Sequence, residues 1–577
     1  MPAAALLIVF VAAKAMAIAG HHVAFSWWVP IAYLWEDAAV VLGFAIVAAA
    51  APKLATPVYA AATVYTAINV PVARLLSTPM TWAMWRAARG PLADSIRVYV
   101  TPASLTMIAG VCAIAAIALG RAGRGTPPRR RCLFYAALLL FAVLGPSAVS
   151  RVDTIGLERN ALLTIATTAL PRADATAGAR DSWRTVGFDR RRDDDLAAFR
   201  GAASGRNVIF VSLESTGAQY LGLFGARPDP TPNLSRLSRS GIVFDNAYAV
   251  YPESIKGLLS TLCSTYPALD VDVELYAGAP CRSIAAVLRE RGFRTALFHS
   301  GRFAYLGMES VVRNRGFDVL DDAGDLGAAR ESSFGVDEPS TVAHILRWID
   351  GLPRDERFFV AYLPIAGHHP YDTPDGGPFP EADDRGRYRN ALHYGDAALA
   401  TLVEGLAARG LADRTLWIVI GDHGEAFGQH EGNFGHTFQL YDENVHVPLV
   451  VAAPGWTRAM RSARTVSLVD VAPTLLDLLG IEAPREYLGR SALDAEPHLA
   501  FFLADYSRPL IGLRDGPMKF IGDLESGRDR LYDLDRDPGE IRNLLAALPD
   551  RSAWYRSALG DWAAAQAKAL RRVRIAP

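Results

Sequence analysis

"TLWIVIGDHGE", residues 415–425, is an apolar run that stops on a glycine and then delivers an aspartate, a histidine and a glutamate. Consecutive apolar residues without alternation describe a strand buried on both faces, the habit of parallel sheets covered by helices. "NVIFVSLEST", residues 207–216, repeats the plan: an apolar strand, then Glu214. Further strands are expected at 294–299, 358–364, 447–453 and 498–503. Helical patterns such as "SIAAVLRERG" and "YGDAALATLVEGLAARG", each closed by glycine, lie between them. This alternation predicts an α/β fold with a central, largely parallel sheet. Ligands of such sheets bind beyond the carboxyl ends of the strands, so Glu214, Asp422 and His423 are expected to converge.

Two carboxylates and an imidazole suit Zn²⁺ or Mn²⁺ and leave a fourth position open. The hydroxyl-rich stretch "VYPESIKGLLSTLCSTYP", residues 250–267, offers Ser254 for that position. A divalent metal lowers the pKa of a bound alcohol and turns it into a nucleophile. Ser260 is the rival in the same stretch and is expected on the following helix. Lys256 can hold a phosphate or sulfate oxygen as a point charge. The plainer reading makes Glu214, Asp422 and His423 capping residues of the turns they open.

The chain has 577 residues, too many for one small core, so two or more domains are expected. Its net charge of -1 argues against a polyanionic partner such as nucleic acid. Hydrophobic residues make up 51%, and the excess is concentrated at the front. Five apolar stretches, near residues 3–20, 38–51, 58–75, 101–120 and 132–149, approach the roughly 20 residues needed to span a bilayer. Trp27, Trp28, Trp35, Trp82 and Trp85 read as interfacial aromatics. The basic loop "RAGRGTPPRRRC", residues 121–132, is cytoplasmic by the positive-inside rule, which places everything after Ser150 outside the cytoplasm. Arg74, Arg86, Arg89 and Arg97 then fall outside, against that rule; an amphipathic interfacial helix would reconcile them. Lys14 inside the first span is the residue a transporter reading would use, although a lysine there can snorkel.

The expected organisation is a transmembrane domain of about five helices over 1–150, a linker over 151–205, a catalytic domain over 206–545 and a C-terminal helix over 546–577. Of the 4 cysteines, Cys263 and Cys281 both fall in the external part, where an oxidising compartment favours a disulfide between them.

Several ordered stretches resemble the alkaline phosphatase superfamily: "NVIFVSLES", "PESIKGLLSTL", "GDHGE" and "VHVPLVV". "SLVDVAPTLLDLLGI" (467–481) and "RLYDLDRDPGEIRNL" (530–544) resemble C-terminal segments of sulfatases. A multi-span N-terminus before an extracytoplasmic, sulfatase-like domain is similar to lipoteichoic acid synthases and lipid A phosphoethanolamine transferases. The resemblance implies one divalent metal, Mn or Zn rather than Mg or Ca, held by Glu214, Asp422 and His423, with Ser254 as nucleophile and further ligand. It implies substrate-side roles for His368 in "AGHHPY", for His436 and for His299 in "LFHSGR", beside Lys256. It implies a multi-pass inner-membrane enzyme, its catalytic domain on the periplasmic side. That enzyme moves a phosphoglycerol or phosphoethanolamine group from a membrane lipid donor to a glycan, lipid or polymer acceptor of the envelope. The alternative is a membrane-anchored hydrolase of sulfuric or phosphoric esters. The chain departs from the sulfatase pattern in lacking a Cys/Ser-x-Pro-x-Arg motif and in having Leu213-Glu214 for an aspartate pair. Leu306 and Met308 stand where lipoteichoic acid synthases carry Trp and Arg, which weakens the case for a phosphoglycerol headgroup.

Overall fold

The structure, a computed structural model, describes residues 2–23, 25–90, 92–122, 127–170, 181–184, 187–189, 196–374, 376–454, 456 and 459–575. Parts of the basic loop and of the expected linker lie outside these residues.

The apolar runs form a sheet of eight strands in the order β10-β2-β9-β6-β1-β5-β3-β4. These are β1 (Asn207–Leu213), β2 (Gly241–Tyr248), β3 (Phe293–His299), β4 (Val319–Asp321), β5 (Arg357–Leu363), β6 (Thr415–Gly421), β9 (His446–Ala452) and β10 (Met460–Ser467); a short pair, β7 (Ala426–Phe427) and β8 (Phe434–Gly435), stands apart. Among the described strands of the large sheet, β9 alone runs against the rest: it pairs antiparallel with β2 and β6, and every other pairing is parallel. Alternate residues feed two cores. Val208, Phe210, Ile418 and Ile420 face one; Ile209, Val211, Trp417 and Val419 face the other. Helices cover both faces, which is why the strands read as apolar without alternation.

The expected strand at 498–503 becomes β11 (Ala500–Ala504), but it leaves the parallel sheet. It pairs with β12 (Leu510–Asp515), which continues through β13 (Met518–Asp523) to β14 (Asp529–Asp533) in a second, antiparallel sheet. Apolar content alone does not distinguish the two sheets. The difference lies in the connections, since β12, β13 and β14 follow one another through short turns that parallel pairing cannot use.

The front of the chain forms α1 (Pro2–Ile18), α2 (Val29–Ala50), α3 (Pro52–Leu76), α4 (Trp82–Ala87), α5 (Ala93–Val98), α6 (Pro102–Ala122) and α7 (Pro128–Val149). Three of them, α2, α6 and α7, are long and apolar enough to cross a membrane. Helix α1 is apolar but shorter, and α3 carries buried Thr63, Thr66 and Asn69. Lys14 is no isolated charge: its ammonium donates to the carbonyls of Glu158 (2.7 Å) and Arg159 (3.1 Å) and pairs with Asp37 at 3.1 Å. This ties α1 and α2 to the chain that leaves α7. The arginines that break the charge rule are likewise engaged. Arg86 pairs with Asp272 at 2.9 Å, Arg97 with Asp94 at 3.2 Å, and Arg89 lies 5.3 Å over the Trp85 ring.

Helix α8 (Ala161–Thr168) is capped by Asn160, and α9 (Pro232–Leu237) opens on a proline after Thr231. Helix α10 (Ser254–Cys263) buries Ile255, Leu258, Leu259 and Leu262 against the sheet. Cys263 at its end is bonded to Cys281. Because α10 is anchored along its length, its first residue is held at a fixed place above the strand ends.

Candidate active site

The register of β1 against β6 builds the site. Leu213 lies opposite Gly421, so the next residues, Glu214 and Asp422, leave the sheet side by side. The backbone N–H of Asp422 donates to the Leu213 carbonyl (3.1 Å) and locks that step. The N–H groups of Ser215 (2.9 Å) and His423 (2.7 Å) donate to Oδ1 of Asp422. The loop carrying His368 crosses so close that a Cβ on Gly367 would stand 2.1 Å from the Glu214 carbonyl oxygen; only glycine fits there.

Ser254 is the first residue of α10. The carboxylate of Glu253 caps the helix, accepting from the N–H groups of Ile255 (3.1 Å) and Lys256 (3.2 Å). Ser254 Oγ donates to Glu214 Oε2 at 2.8 Å and lies 3.3 Å from His423 Nε2. It therefore sits at the positive end of the helix dipole, where developing negative charge is stabilised. Ser260 lies on α10, fully buried, its hydroxyl turned back to the Lys256 carbonyl at 3.4 Å.

The donor set could hold a divalent cation. Nδ1 of His423 faces the Gly424 carbonyl at 3.0 Å, which fixes the proton there and leaves the Nε2 lone pair directed at the cluster. Nε2 stands 3.6 Å from both Glu214 Oε1 and Asp422 Oδ2. Ligand atoms of Glu214, Asp422 and His423 all lie within 4.8 Å of one another, and all three residues are buried. Burial, reinforced for Glu214 by the neighbouring Asp422, pushes both carboxyls up to about 7. Burial, helped by His436, pulls the His423 imidazole down to about 4. Two buried acids beside a neutral imidazole offer ligands that could hold a divalent ion.

His436 completes the pocket. Its ring stacks on His423 with centroids 4.2 Å apart, and Nδ1 bonds Glu425 Oε2 at 2.7 Å. Burial alone would lower its pKa, but Glu425 and then Glu214 and Asp422 raise it to about 9. His368 stands farther out, its ring 6.4 Å from that of His436 and stacked at 3.7 Å on Phe334; burial pulls it down to about 3.

Two of the expected substrate-binding residues are otherwise engaged. Lys256 pairs with Asp505 at 3.1 Å and lies 4.7 Å over the Tyr251 ring. His299 faces the Leu363 carbonyl through Nδ1 (3.1 Å) and stacks on Phe303. The lysine is a buried partner of Asp505, so Lys256→Met is expected to destabilise the protein by about 3–5 kcal/mol by stranding that carboxylate. Denaturant unfolding in detergent checks this. A raised KM with unchanged stability would return the lysine to the substrate.

Sequence reasoning passed over Glu425 and Asp505. Glu425 had a signal, since it follows the Asp-His pair within "GDHGE". Asp505 had none: it comes from the second sheet, 249 residues from Lys256.

Residues 206–481 match the family model described as Sulfatase. Lipoteichoic acid synthase 2 of Bacillus subtilis (strain 168) is 24% identical over 311 residues, 50% of this chain and 47% of that protein. Arylsulfatase K of Bos taurus is 27% identical over 249 residues, 38% of this chain and 45% of that protein. The chain thus spans about half the length of these curated relatives. The crystal structure of the lipoteichoic acid synthase LtaP from Listeria monocytogenes superposes with a TM-score of 0.53 at 19% identity, covering 66% of this chain and 95% of that one. A protein of the alkaline phosphatase superfamily from Vibrio parahaemolyticus gives 0.53 at 22%, covering 68% and 94%.

Proposed function

We propose, from the premise that residues 206–481 form a sulfatase-like domain of the alkaline phosphatase superfamily, that this chain is a membrane-anchored transferase. It moves a phospho-headgroup from a lipid to an envelope acceptor through Ser254. The observation that carries this reading is the placement of Ser254 Oγ at a helix N-terminus, 2.8 Å from Glu214 and 3.3 Å from His423, in a chain with helices fit to span a bilayer.

Glu214, Asp422 and His423, with Ser254, would hold the divalent ion, Mn or Zn. Bound there, it supplies acidity to the serine alcohol and positive charge for the phosphoryl oxygens. Ser254 Oγ attacks phosphorus as the bond from phosphorus to the donor's glycerol oxygen breaks, and the serine proton leaves toward Glu214. The departing diacylglycerol oxygen takes a proton from Nε2 of His436, whose Nδ1 is held by Glu425. An acceptor hydroxyl then attacks the phosphoseryl group and passes its proton to His436, while the departing Ser254 oxygen takes back the proton held by Glu214. The N-terminus of α10 and His436 stabilise charge on the transferring group, so positioning and electrostatics carry most of the catalysis. The domain faces away from the cytoplasm, on the side opposite the basic loop between α6 and α7.

The test uses the detergent-purified protein with Mn²⁺ or Zn²⁺ and fluorescent phosphatidylglycerol or phosphatidylethanolamine. Metal-dependent release of diacylglycerol is expected. No release, alongside metal-dependent cleavage of aryl phosphate or sulfate esters, would replace the transferase with a hydrolase.

A further inference from the structure

Residues 77–90 and 92–101, between α3 and α6, lie against the loops around the site. Side-chain contacts fix them to four separate loops. Thr81 Oγ1 donates to the Tyr506 carbonyl at 2.9 Å. Arg86 pairs with Asp272 at 2.9 Å. Asp94 Oδ2 accepts from the Ser333 N–H at 3.0 Å. Ser95 Oγ donates to the His369 carbonyl at 2.7 Å, and the Tyr99 ring stacks on His369 with centroids 5.2 Å apart, its hydroxyl 3.1 Å from Nε2.

These loops are the ones that shape the catalytic pocket. His369 follows His368. Phe334, next to Ser333, stacks on His368 at 3.7 Å and meets the ring of Tyr305 at 5.2 Å. A Cβ on Gly90 would lie 3.4 Å from that Tyr305 ring. Asp505, beside Tyr506, holds Lys256 two residues from the nucleophile. The segment is thus a wall of the pocket rather than a linker between helices.

The same segment leads straight into α6, one of the helices apolar and long enough to span a membrane. It also exposes apolar side chains, Trp82 at 39%, Ile96 at 43% and Val100 at 59%, interspersed with the exposed arginines 86, 89 and 97. Trp27, in the loop joining α1 to α2, is 88% exposed. Tryptophans and aliphatic residues at helix ends mark the headgroup level of a bilayer.

We infer that residues 77–101 are a specificity element: a strap that forms the membrane-side wall of the site and selects esters embedded in the bilayer over soluble ones. A lipid headgroup reaches Ser254 by passing between the strap and the loops it grips, with its acyl chains left among Trp82, Ile96 and Val100. The inference rests on the lipid-donor reading above. It adds that selection is made by Asp94, Ser95 and Tyr99, far in sequence from the catalytic residues.

The test reconstitutes wild type and the Asp94→Ala/Tyr99→Ala variant in nanodiscs with Mn²⁺. It compares kcat/KM for fluorescent phosphatidylglycerol or phosphatidylethanolamine with that for para-nitrophenyl phosphate. The ratio of lipid to soluble turnover is expected to fall about tenfold or more in the variant. An unchanged ratio in an enzyme that turns over lipid would overturn the strap and leave the transferase reading intact. A second measurement needs neither the variant nor turnover: wild type in nanodiscs is irradiated with a diazirine-bearing phospholipid, and the labelled peptides are mapped. Labels on residues 82–100 and near Tyr305 and Phe334 are expected. Labels confined to α2, α6 and α7 would overturn the inference. Wild type that cleaves only the aryl ester defeats the lipid-donor reading, and the labelling pattern still decides the strap separately.

Discussion

Ser254→Ala is expected to abolish the proposed headgroup transfer, with a loss on the order of a thousandfold or more, because it removes the alcohol assigned to the covalent intermediate. The fold survives the change. Ser254 Oγ bonds only within the cluster, to Glu214 and near His423, while α10 is held by Ile255, Leu258, Leu259 and Leu262 and is capped by Glu253. Thermal unfolding of the variant should therefore match wild type closely. Ser254→Thr keeps an alcohol at the same position and retains a measurable rate. Supplying donor without acceptor should leave the headgroup phosphate on the peptide that contains Ser254, readable by mass. An alanine variant that still releases diacylglycerol, or an adduct mapped to Ser260, would sink the assignment.

The second large effect concerns the carboxylate pair. Without metal, Glu214 and Asp422 titrate near 7, above their ordinary values, because burial penalises both charges and Asp422 adds to the penalty on Glu214. A raised folded-state pKa means that the folded protein holds protons the unfolded chain has released. The associated stability is fully present below about pH 4, where both states are protonated, and is lost as pH rises toward and through 7. Chelated protein should thus show a Tm that declines between pH 5 and pH 7.5. A divalent ion at about a hundred times its Kd should add roughly 2.7 kcal/mol and flatten that decline. Asp422→Asn removes one of the two charges. It should raise the Tm of the chelated protein at pH 7.5, abolish the metal-induced rise and reduce turnover on the order of a thousandfold. Bound metal is counted by elemental analysis. An Asp422→Asn variant that retains stoichiometric metal and activity would place the ion elsewhere.

What was legible in the sequence follows from what each pattern encodes. The apolar runs ending at Leu213 and Gly421 carry burial on both faces, so the sheet and its carboxyl-end site could be read from them. Glu214, Ser254, Asp422 and His423 each follow a strand or open a helix, and local sequence locates such positions. The pairing of Lys256 with Asp505 was not legible, because an unpaired lysine and a buried ion pair look the same until the second sheet is placed. His299 was credited with substrate on its position at a strand end; the structure turns its Nδ1 to the Leu363 carbonyl and stacks its ring on Phe303. The arginines at 86, 89 and 97 looked like a violation of the charge rule. They become ordinary once Asp272, Trp85 and Asp94 are seen beside them.

The register of Leu213 opposite Gly421 governs how this domain can change over generations. Side chains alternate faces along a strand, so inserting or deleting a single residue in β1 or β6 turns either Glu214 or Asp422 away from its partner. Roughly two hundred residues separate the two strands, and within them loops can lengthen, shorten or acquire new sequence while the paired strand ends stay in place. Two short strands are thus frozen in length, and variation between them is confined to the surface loops that join the intervening strands and helices.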